Sequence, residues 1–129
     1  FDPTAFTGQR IVFNIPVFAA TSGPVLVNYY AGTTANDDGT LLNAVNRDAT
    51  SSITPQSIIR LNPTGIILGS KFSGDLVPAN ETRPAAGNGA LSSGGLPFAI
   101  DSSLKYAVTI QNTDGDNVYV KMNVNWFEF

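Results

Sequence analysis

The 129-residue chain contains no cysteine and no histidine, and only 13% of its residues are charged. These absences exclude disulfide frameworks, thiolate or imidazole metal sites, cysteine nucleophiles and every catalytic triad that needs an imidazole. Typical globular proteins carry about 25% charged residues, so Asn, Thr, Ser and Gly must keep this surface in solution. We therefore expect a protein that is not an enzyme and that holds no cofactor and no metal.

Charge of either sign is too sparse to indicate a charged partner. The net charge of −3 comes from 7 basic and 10 acidic residues, and no segment gathers the Lys/Arg cluster that binding to a phosphate backbone requires. This argues against nucleic acid as a partner. No apolar run approaches the roughly 18 to 20 residues of a membrane span. The chain begins with Phe1 without a signal-peptide pattern, which favours a processed or trimmed product.

Short β-rich runs separated by Gly, Pro, Asn and Asp predict an all-β fold. Their number and spacing are typical of an antiparallel β-sandwich or jelly roll of about seven to eight strands with long Gly/Pro-rich loops. The length fits one domain. We expect an extended N-terminal arm over residues 1–8 and a single β-sandwich domain over residues 9–129.

Alternation of apolar and polar residues predicts the first strands, over residues 9–18 and 25–30. Pro16 would lie at a sheet edge or strand end, because proline cannot donate to the ladder. The inward faces would carry Ile11, Phe13, Ile15 and Val17 in the first strand and Val25, Val27 and Tyr29 in the second. A weak strand over 41–45 and a hairpin over 57–72, turning at residues 62–65, would follow. Residues 73–97 form the longest irregular stretch.

The C-terminal segment has the clearest alternation. It predicts two long antiparallel strands, over residues 106–112 and 118–129, joined by a turn at 112–117. Trp126 and Phe127 are consecutive, so their side chains must point to opposite faces of the last strand. One of the two therefore lies away from the core of its own sheet, where a partner subunit or a loop would cover it.

Several residue patterns admit a chemical reading beside a structural one. The Asp-rich segments 114–117 and 37–39 could offer oxygen ligands to Ca²⁺, but neither continues into a calcium-loop pattern, and Asp-Gly between strands favours a turn. A glycosidase would need two carboxylates across a cleft, and Glu81 and Glu128 stand in poor places to hold that geometry. Aromatic side chains could stack on sugars, although at strand spacing they are more often core or subunit interface. The sugar-stacking candidates are Tyr29, Tyr30, Tyr119, Trp126 and Phe127.

Three segments of the chain carry a resemblance to a known family. Residues 104–112 read Leu-Lys-Tyr-Ala-Val-Thr-Ile-Gln-Asn and residues 120–129 read Val-Lys-Met-Asn-Val-Asn-Trp-Phe-Glu-Phe. They resemble the closing strand, short turn and last strand, with an aromatic-aromatic-glutamate signature, of a group of small virion proteins of tailed bacteriophages. Residues 39–48 are similar to the family's Gly-Thr-x-Leu-x-x-x-Asn-Arg segment, so the resemblance covers roughly residues 39–129. Phe129 departs from the acid that more often ends the family, and Asp48 from a common Asn.

The resemblance implies a structural virion protein, most simply a capsid decoration (cement) protein that binds and stabilises the head shell through noncovalent contacts. Its partners would be the major capsid protein and the sister subunits of a homotrimer, on the outer capsid surface after assembly in the host cytoplasm. Phe1 and Phe6 would have no place in their own core and would dock on a neighbour. The candidate interface residues are Phe1, Phe6, Tyr29, Tyr30, Tyr119, Trp126, Phe127 and Phe129.

A second reading stays open at this point. The chain could be a host-attachment or carbohydrate-binding module on a phage head fibre, tail or neck, with a host surface glycan as its partner. The two readings differ in copy number, because decoration requires one subunit set per lattice site and attachment requires few copies.

Overall fold

All regular secondary structure in the described residues is β-strand. A computed structural model describes residues 1–8, 10–14, 17–19, 24–45, 50, 52–77, 98–113, 115, 117–118 and 120–129. Within these ranges every strand pair is antiparallel and no helix forms. The ten strands are β1 (Ile11–Asn14), β2 (Val17–Ala19), β3 (Val25–Ala31), β4 (Thr40–Leu42), β5 (Ile59–Leu61), β6 (Ser70–Val77), β7 (Phe98–Ile100), β8 (Tyr106–Asn112), β9 (Val120–Met122) and β10 (Asn125–Glu128).

Two sheets make up the body of the domain, in agreement with the predicted β-sandwich. The first has the order β10-β1-β7, and the β2–β9 pair continues the β1–β10 pairing in the same register. The second has the order β6-β3-β8. Because β1 and β3 are the central strands, their inward side chains have neighbours on both sides.

The core lies between these central strands. Val25, Val27 and Tyr29 on β3 are at most 4% exposed, and they form one buried cluster with Phe13 and Val77. This confirms the predicted inward face of the strand over residues 25–30. For the first strand, the inward position of Ile11 and Phe13 is confirmed, whereas Ile15, Pro16 and the side chain of Val17 lie outside the described residues.

The predicted hairpin over residues 57–72 is wrong. β5 pairs with β4, and β6 pairs with β3. Between these pairs, the isolated bridges Thr34↔Ile67 and Asp37↔Thr64 keep the same register. Residues 34–42 and 59–67 therefore form a two-stranded ribbon that extends the β3–β6 pair. The expected turn residues bend this ribbon instead of reversing the chain, since Asn62 and Gly65 adopt φ values of 53° and 58°.

The predicted pairing of the last two strands is also wrong. β8 pairs with β3, whereas β9 and β10 pair with β2 and β1. The Asp-Gly segment near residue 115 thus connects two sheets and is not a hairpin turn. Two smaller differences are strand β7, which sequence alternation did not indicate, and residues 73–77, which belong to β6 and not to a loop. Residues 78–97 lie outside the described residues.

Candidate functional site

Three of the candidate aromatic residues pack inside their own domain. The Phe1 ring lies 4.4 Å from Phe13 and 5.6 Å from Trp126, measured between ring centroids. Both Phe1 and Trp126 pack against the buried cluster, which contains Tyr29. The expectation that Phe1 has no place in its own core is therefore wrong, because the open end of the sandwich between β1 and β8 accepts its ring.

Residues 1–8 lie on the domain. The main-chain nitrogen of Phe1 donates to the Tyr106 carbonyl at 2.8 Å, and the Tyr106 N–H donates back to the Phe1 carbonyl at 2.9 Å. Asp2 exchanges the same two bonds with Ile58, at 2.8 and 2.9 Å. The first two residues thus form a short strand segment between β8 and the start of β5.

The remaining candidate aromatic residues that the structure describes lie nearer the surface. Phe127 is 55% exposed and Phe129 is 66% exposed, and their rings stack at 6.4 Å. Since Trp126 packs against the core, the predicted opposition of Trp126 and Phe127 is confirmed. Half-buried Phe6 contacts Gly8 beside the main-chain oxygen of Phe129. Tyr30 is half-buried on β3, and Tyr119 lies outside the described residues.

Among the described residues, the largest concentration of exposed apolar side chains is on the ribbon and at the adjoining Leu68, where the sequence patterns had indicated no site. All of β4 is exposed, and Ile67 is 70% exposed. We call the following six residues the ribbon patch: Leu41, Leu42, Leu61, Ile66, Ile67 and Leu68. The signal that could have revealed it is the run of adjacent apolar residues in Leu41-Leu42 and 66–68, because neighbours on a strand cannot all face one core.

A cleft of about 460 Å³ separates the ribbon from β8. Six consecutive residues, 58–63, line one wall, and six more, 105–110, line the other. The cleft reaches the core residues Phe13 and Val124, and Phe1 and Asp2 border it. Its volume falls within the range of about 300–1,000 Å³ that ligand sites occupy.

Two buried polar atoms beside this cleft have no hydrogen-bond partner in the described part of the chain. One is Oγ1 of Thr33, a residue that is 8% exposed, and the other is Nε of Arg60. Arg60 does use its Nη1 group, which donates to the Gly39 carbonyl at 3.2 Å. An unpaired buried polar atom costs about 1–3 kcal/mol, so an occupant that offers hydrogen-bonding groups would relieve this cost.

A small ion-pair network closes one end of the cleft. Lys105 Nζ lies 3.0 Å from Asp2 Oδ2 and 3.3 Å from Asp38 Oδ2. Burial raises the pKa of the Asp2 carboxyl, but hydrogen bonds from Thr4 and Lys105 outweigh it, so the pKa of Asp2 is lowered. The hydrogen bond to Asp2 is the main reason that the pKa of Lys105 is raised. The two carboxylates thus hold a protein ammonium group between them.

Glu128 is a structural carboxylate. Its Oε1 accepts hydrogen bonds from the Ser57 N–H at 2.8 Å and the Trp126 indole N–H at 3.1 Å, and its Oε2 accepts one from the Gln56 N–H at 3.1 Å. Burial alone would raise the pKa of Glu128, but hydrogen bonds from Ser57, Gln56 and Trp126 lower it. Glu128 therefore ties the segment before β5 to the last strand.

The described residues contain no group of three or more acidic side chains able to hold a metal ion. Nor do they form a helix long and apolar enough to cross a membrane. Of the two segments first considered for Ca²⁺, Asp38 is paired with Lys105 and Asp37 accepts the Gly39 N–H at 2.9 Å. Asp114 and Asp116 lie outside the described residues.

No protein-family model, curated protein or solved structure matches this chain.

Proposed function

We propose that this chain is a structural virion protein of a tailed bacteriophage, a capsid decoration protein that clamps neighbouring shell subunits through noncovalent apolar contacts. The observation that carries the proposal is the ribbon patch. Five aliphatic side chains of the two-stranded ribbon and the adjoining Leu68 are each 38–70% exposed. Exposed apolar side chains gathered on one element favour a protein contact site.

The described chain supports the ribbon mainly at its two ends, with one further tie from Lys105 to Asp38. An isolated two-stranded pair is marginally stable in water, and β4 has no buried residue. The ribbon continues from the β3–β6 pair and is held at the other end by the Asp2–Ile58 bridge and by the bonds from Gln56 and Ser57 to Glu128. A neighbouring subunit packed on the ribbon patch would supply the missing cover.

The stacked Phe127 and Phe129 rings add a further apolar surface. Phe127 lies beside Val12 on β1, and Ala99 of β7 is the next residue along this row of the sheet. Apolar side chains on the outer face of a sandwich sheet favour a covered position in an assembly. The low charge of the chain suits such packing, because many identical copies meet without strong mutual repulsion.

The test is electron cryo-microscopy of the particle that carries this chain, with copy number measured by quantitative mass spectrometry of the same particles. We expect density at every equivalent lattice site of the head and contacts through the ribbon patch. A few copies at the tail, neck or a fibre, together with loss of adsorption to glycosidase-treated cells, would instead indicate host attachment. Absence of the chain from purified particles would overturn both readings.

A pair of matched variants tests the surface itself. Leu41→Ser with Ile67→Ser removes two ribbon-patch side chains without touching the core, and we expect occupancy on the particle to fall sharply. Leu76→Ser is the control, because Leu76 is 62% exposed on β6, outside the ribbon. If the ribbon variant keeps full occupancy on the particle, or if both variants lose the same occupancy, the ribbon patch is not the contact surface.

A further inference from the structure

The walls of the cleft are two strand edges that face each other. Six consecutive residues line each wall, so the main chain of each segment runs along the cleft. β8 uses its other edge to pair with β3, and β5 uses its other edge to pair with β4. Apart from the bonds to Phe1 and Asp2, the edge of each strand that faces the cleft is therefore unpaired in the described part of the chain.

The first two residues show that the gap is one strand wide. Phe1 pairs with Tyr106 of β8 on one side, while Asp2 pairs with Ile58 beside β5 on the other, both antiparallel. A segment that bonds to both walls at adjacent residues lies between them as a strand does in a sheet. Phe1 and Asp2 occupy only one end of this gap.

The register of the empty part follows from the same bonds. Main-chain groups alternate between the two edges of a strand. Because Tyr106 and Ile58 point their main-chain groups into the gap, so do Val108 and Ile110 on β8 and Arg60 on β5. No described residue bonds to these three groups on the cleft side. The unpaired Nε of Arg60 and Oγ1 of Thr33 lie beside the same gap.

We propose that this gap is a slot for an extended polypeptide segment of a neighbouring protein in the assembly, which enters as an added strand between β8 and β5. The segment runs antiparallel to both, and it joins the β6-β3-β8 sheet to the ribbon. Main-chain hydrogen bonds provide the affinity, as in other strand-addition complexes. The neighbour's place in a virion rests on the proposed function, whereas the slot rests on the geometry alone.

The slot also specifies the side chains of its occupant. The Phe1 ring points into the core. In an occupying strand that continues the backbone of Phe1 in the N-terminal direction, every second side chain therefore points inward as well. Those inward positions lie level with Val108 and Ile110 and meet the core residues Phe13 and Val124. The intervening positions face outward as Asp2 does. The occupant is therefore a segment with aliphatic side chains at alternate positions and small polar residues between them.

A tethered strand tests this in the full chain. Fusing Val-Thr-Val-Thr ahead of Phe1 places the two valines at the inward positions and the two threonines outward. Fusing Thr-Val-Thr-Val has the same composition and reverses the alternation. We call the first the matched fusion and the second the reversed fusion. The matched fusion should raise Tm by several degrees above the reversed fusion, because only its register can bury the aliphatic side chains in the slot.

Amide hydrogen exchange measured by NMR distinguishes strand addition from nonspecific apolar contact. With the matched fusion, the amides of Val108, Ile110 and Arg60 should exchange at least about tenfold more slowly than with the reversed fusion. Replacing the valine level with Val108 by proline removes the N–H that donates to the Val108 carbonyl, so this fusion should lose most of the gain in Tm. Equal exchange in the two fusions, or strong protection already present in the unfused chain, would overturn the slot.

The source of the occupant is tested separately on the particle. If a neighbour supplies the strand, the matched fusion blocks the slot and lowers occupancy, while the reversed fusion leaves it unchanged. Slow exchange in the matched fusion together with full occupancy would retain the slot and overturn its use by a neighbour. Loss of the chain from particles regardless of fusion bears on the proposed function and not on the slot.

Discussion

The Glu128 carboxylate accepts a hydrogen bond at 2.8 Å from the main-chain N–H of Ser57, 71 residues away in the chain. The same carboxylate binds the Gln56 N–H and the Trp126 indole. A side chain on the last strand thereby replaces a missing strand partner for the segment that leads into β5. Glu128 is thus a structural residue of this chain, and its removal has a defined cost.

Glu128→Gln should destabilise the fold by about 1.5–3 kcal/mol, the usual value of a hydrogen bond to a charged group. Glutamine keeps one acceptor oxygen, but its amide nitrogen cannot accept from the main chain. Urea unfolding followed by Trp126 fluorescence measures the loss, since Trp126 is the only tryptophan. Glu128→Asp is the companion variant, because it keeps the charge and shortens the reach. Wild-type stability for Glu128→Gln would contradict the assigned role.

Acid should destabilise the protein through two carboxylates. Hydrogen bonds lower the pKa of Glu128 and Asp2 in the folded state, against the opposing effect of burial. A lowered folded-state pKa contributes stability above the unfolded-state pKa of about 4, and this contribution is lost as the pH falls through the folded-state pKa. The contribution of these two carboxylates to the free energy of unfolding should therefore change little between about pH 5 and 7 and decrease below about pH 4.

The Glu128→Gln variant separates the two contributions to this acid sensitivity. Its unfolding free energy should be lower than that of the wild type at neutral pH and should decline less steeply in acid. Of the two carboxylates, only Asp2 then contributes to the acid dependence. An identical acid dependence in wild type and variant would show that Glu128 is not perturbed in the folded state.

The alternation of apolar and polar residues correctly predicted which side chains of a strand face the core. Val25, Val27 and Tyr29 alternate strictly and are buried, so β3 could be predicted from the sequence. Trp126 and Phe127 likewise had to face opposite ways. In both cases the period of two along one strand decides the orientation, without knowledge of the pairing partner.

The pairing itself could not be predicted from local signals. Residues 62–65 carry strong turn chemistry, and Asn62 and Gly65 do adopt positive φ, but the chain there bends and does not reverse. The ribbon pairs residues 34–42 with 59–67 across a long connection, and that choice depends on contacts distant in sequence. The cleft and the ribbon patch both arise from this pairing, which is why sequence analysis missed them.

The position of Phe1 also required the structure. Phe1→Ala should destabilise the fold by about 1–3 kcal/mol, below the 3–5 kcal/mol of a fully buried phenylalanine, because Phe1 is half-buried. Loss of its ring beside Trp126 should shift the tryptophan emission to longer wavelength. Phe129→Ala is the control, since Phe129 is 66% exposed and stacks only on Phe127 among the described rings. Equal stability of the two variants would contradict the packing of Phe1 in the core.

Two glycines with similar backbone conformation test the ribbon. Gly32 has φ 75° and Gly39 has φ 83°, so alanine at either position costs about 1–2 kcal/mol in backbone strain. A Cβ at Gly32 would meet nothing within 4 Å, whereas a Cβ at Gly39 would collide with the Leu61 carbonyl oxygen. Gly39→Ala should therefore be the more destabilising variant, and the excess measures the close approach of the two ribbon strands.

Hydrogen exchange locates this excess. In Gly39→Ala, the Leu61 amide should exchange faster because the Thr40↔Leu61 pair opens, and the bond from Arg60 Nη1 to the Gly39 carbonyl should weaken with it. Exchange at β3 amides should stay slow in both variants, since the core does not depend on the ribbon register. If Gly32→Ala and Gly39→Ala lose the same stability and leave Leu61 equally protected, the ribbon strands do not meet at Gly39 as described, and the ribbon patch loses its scaffold.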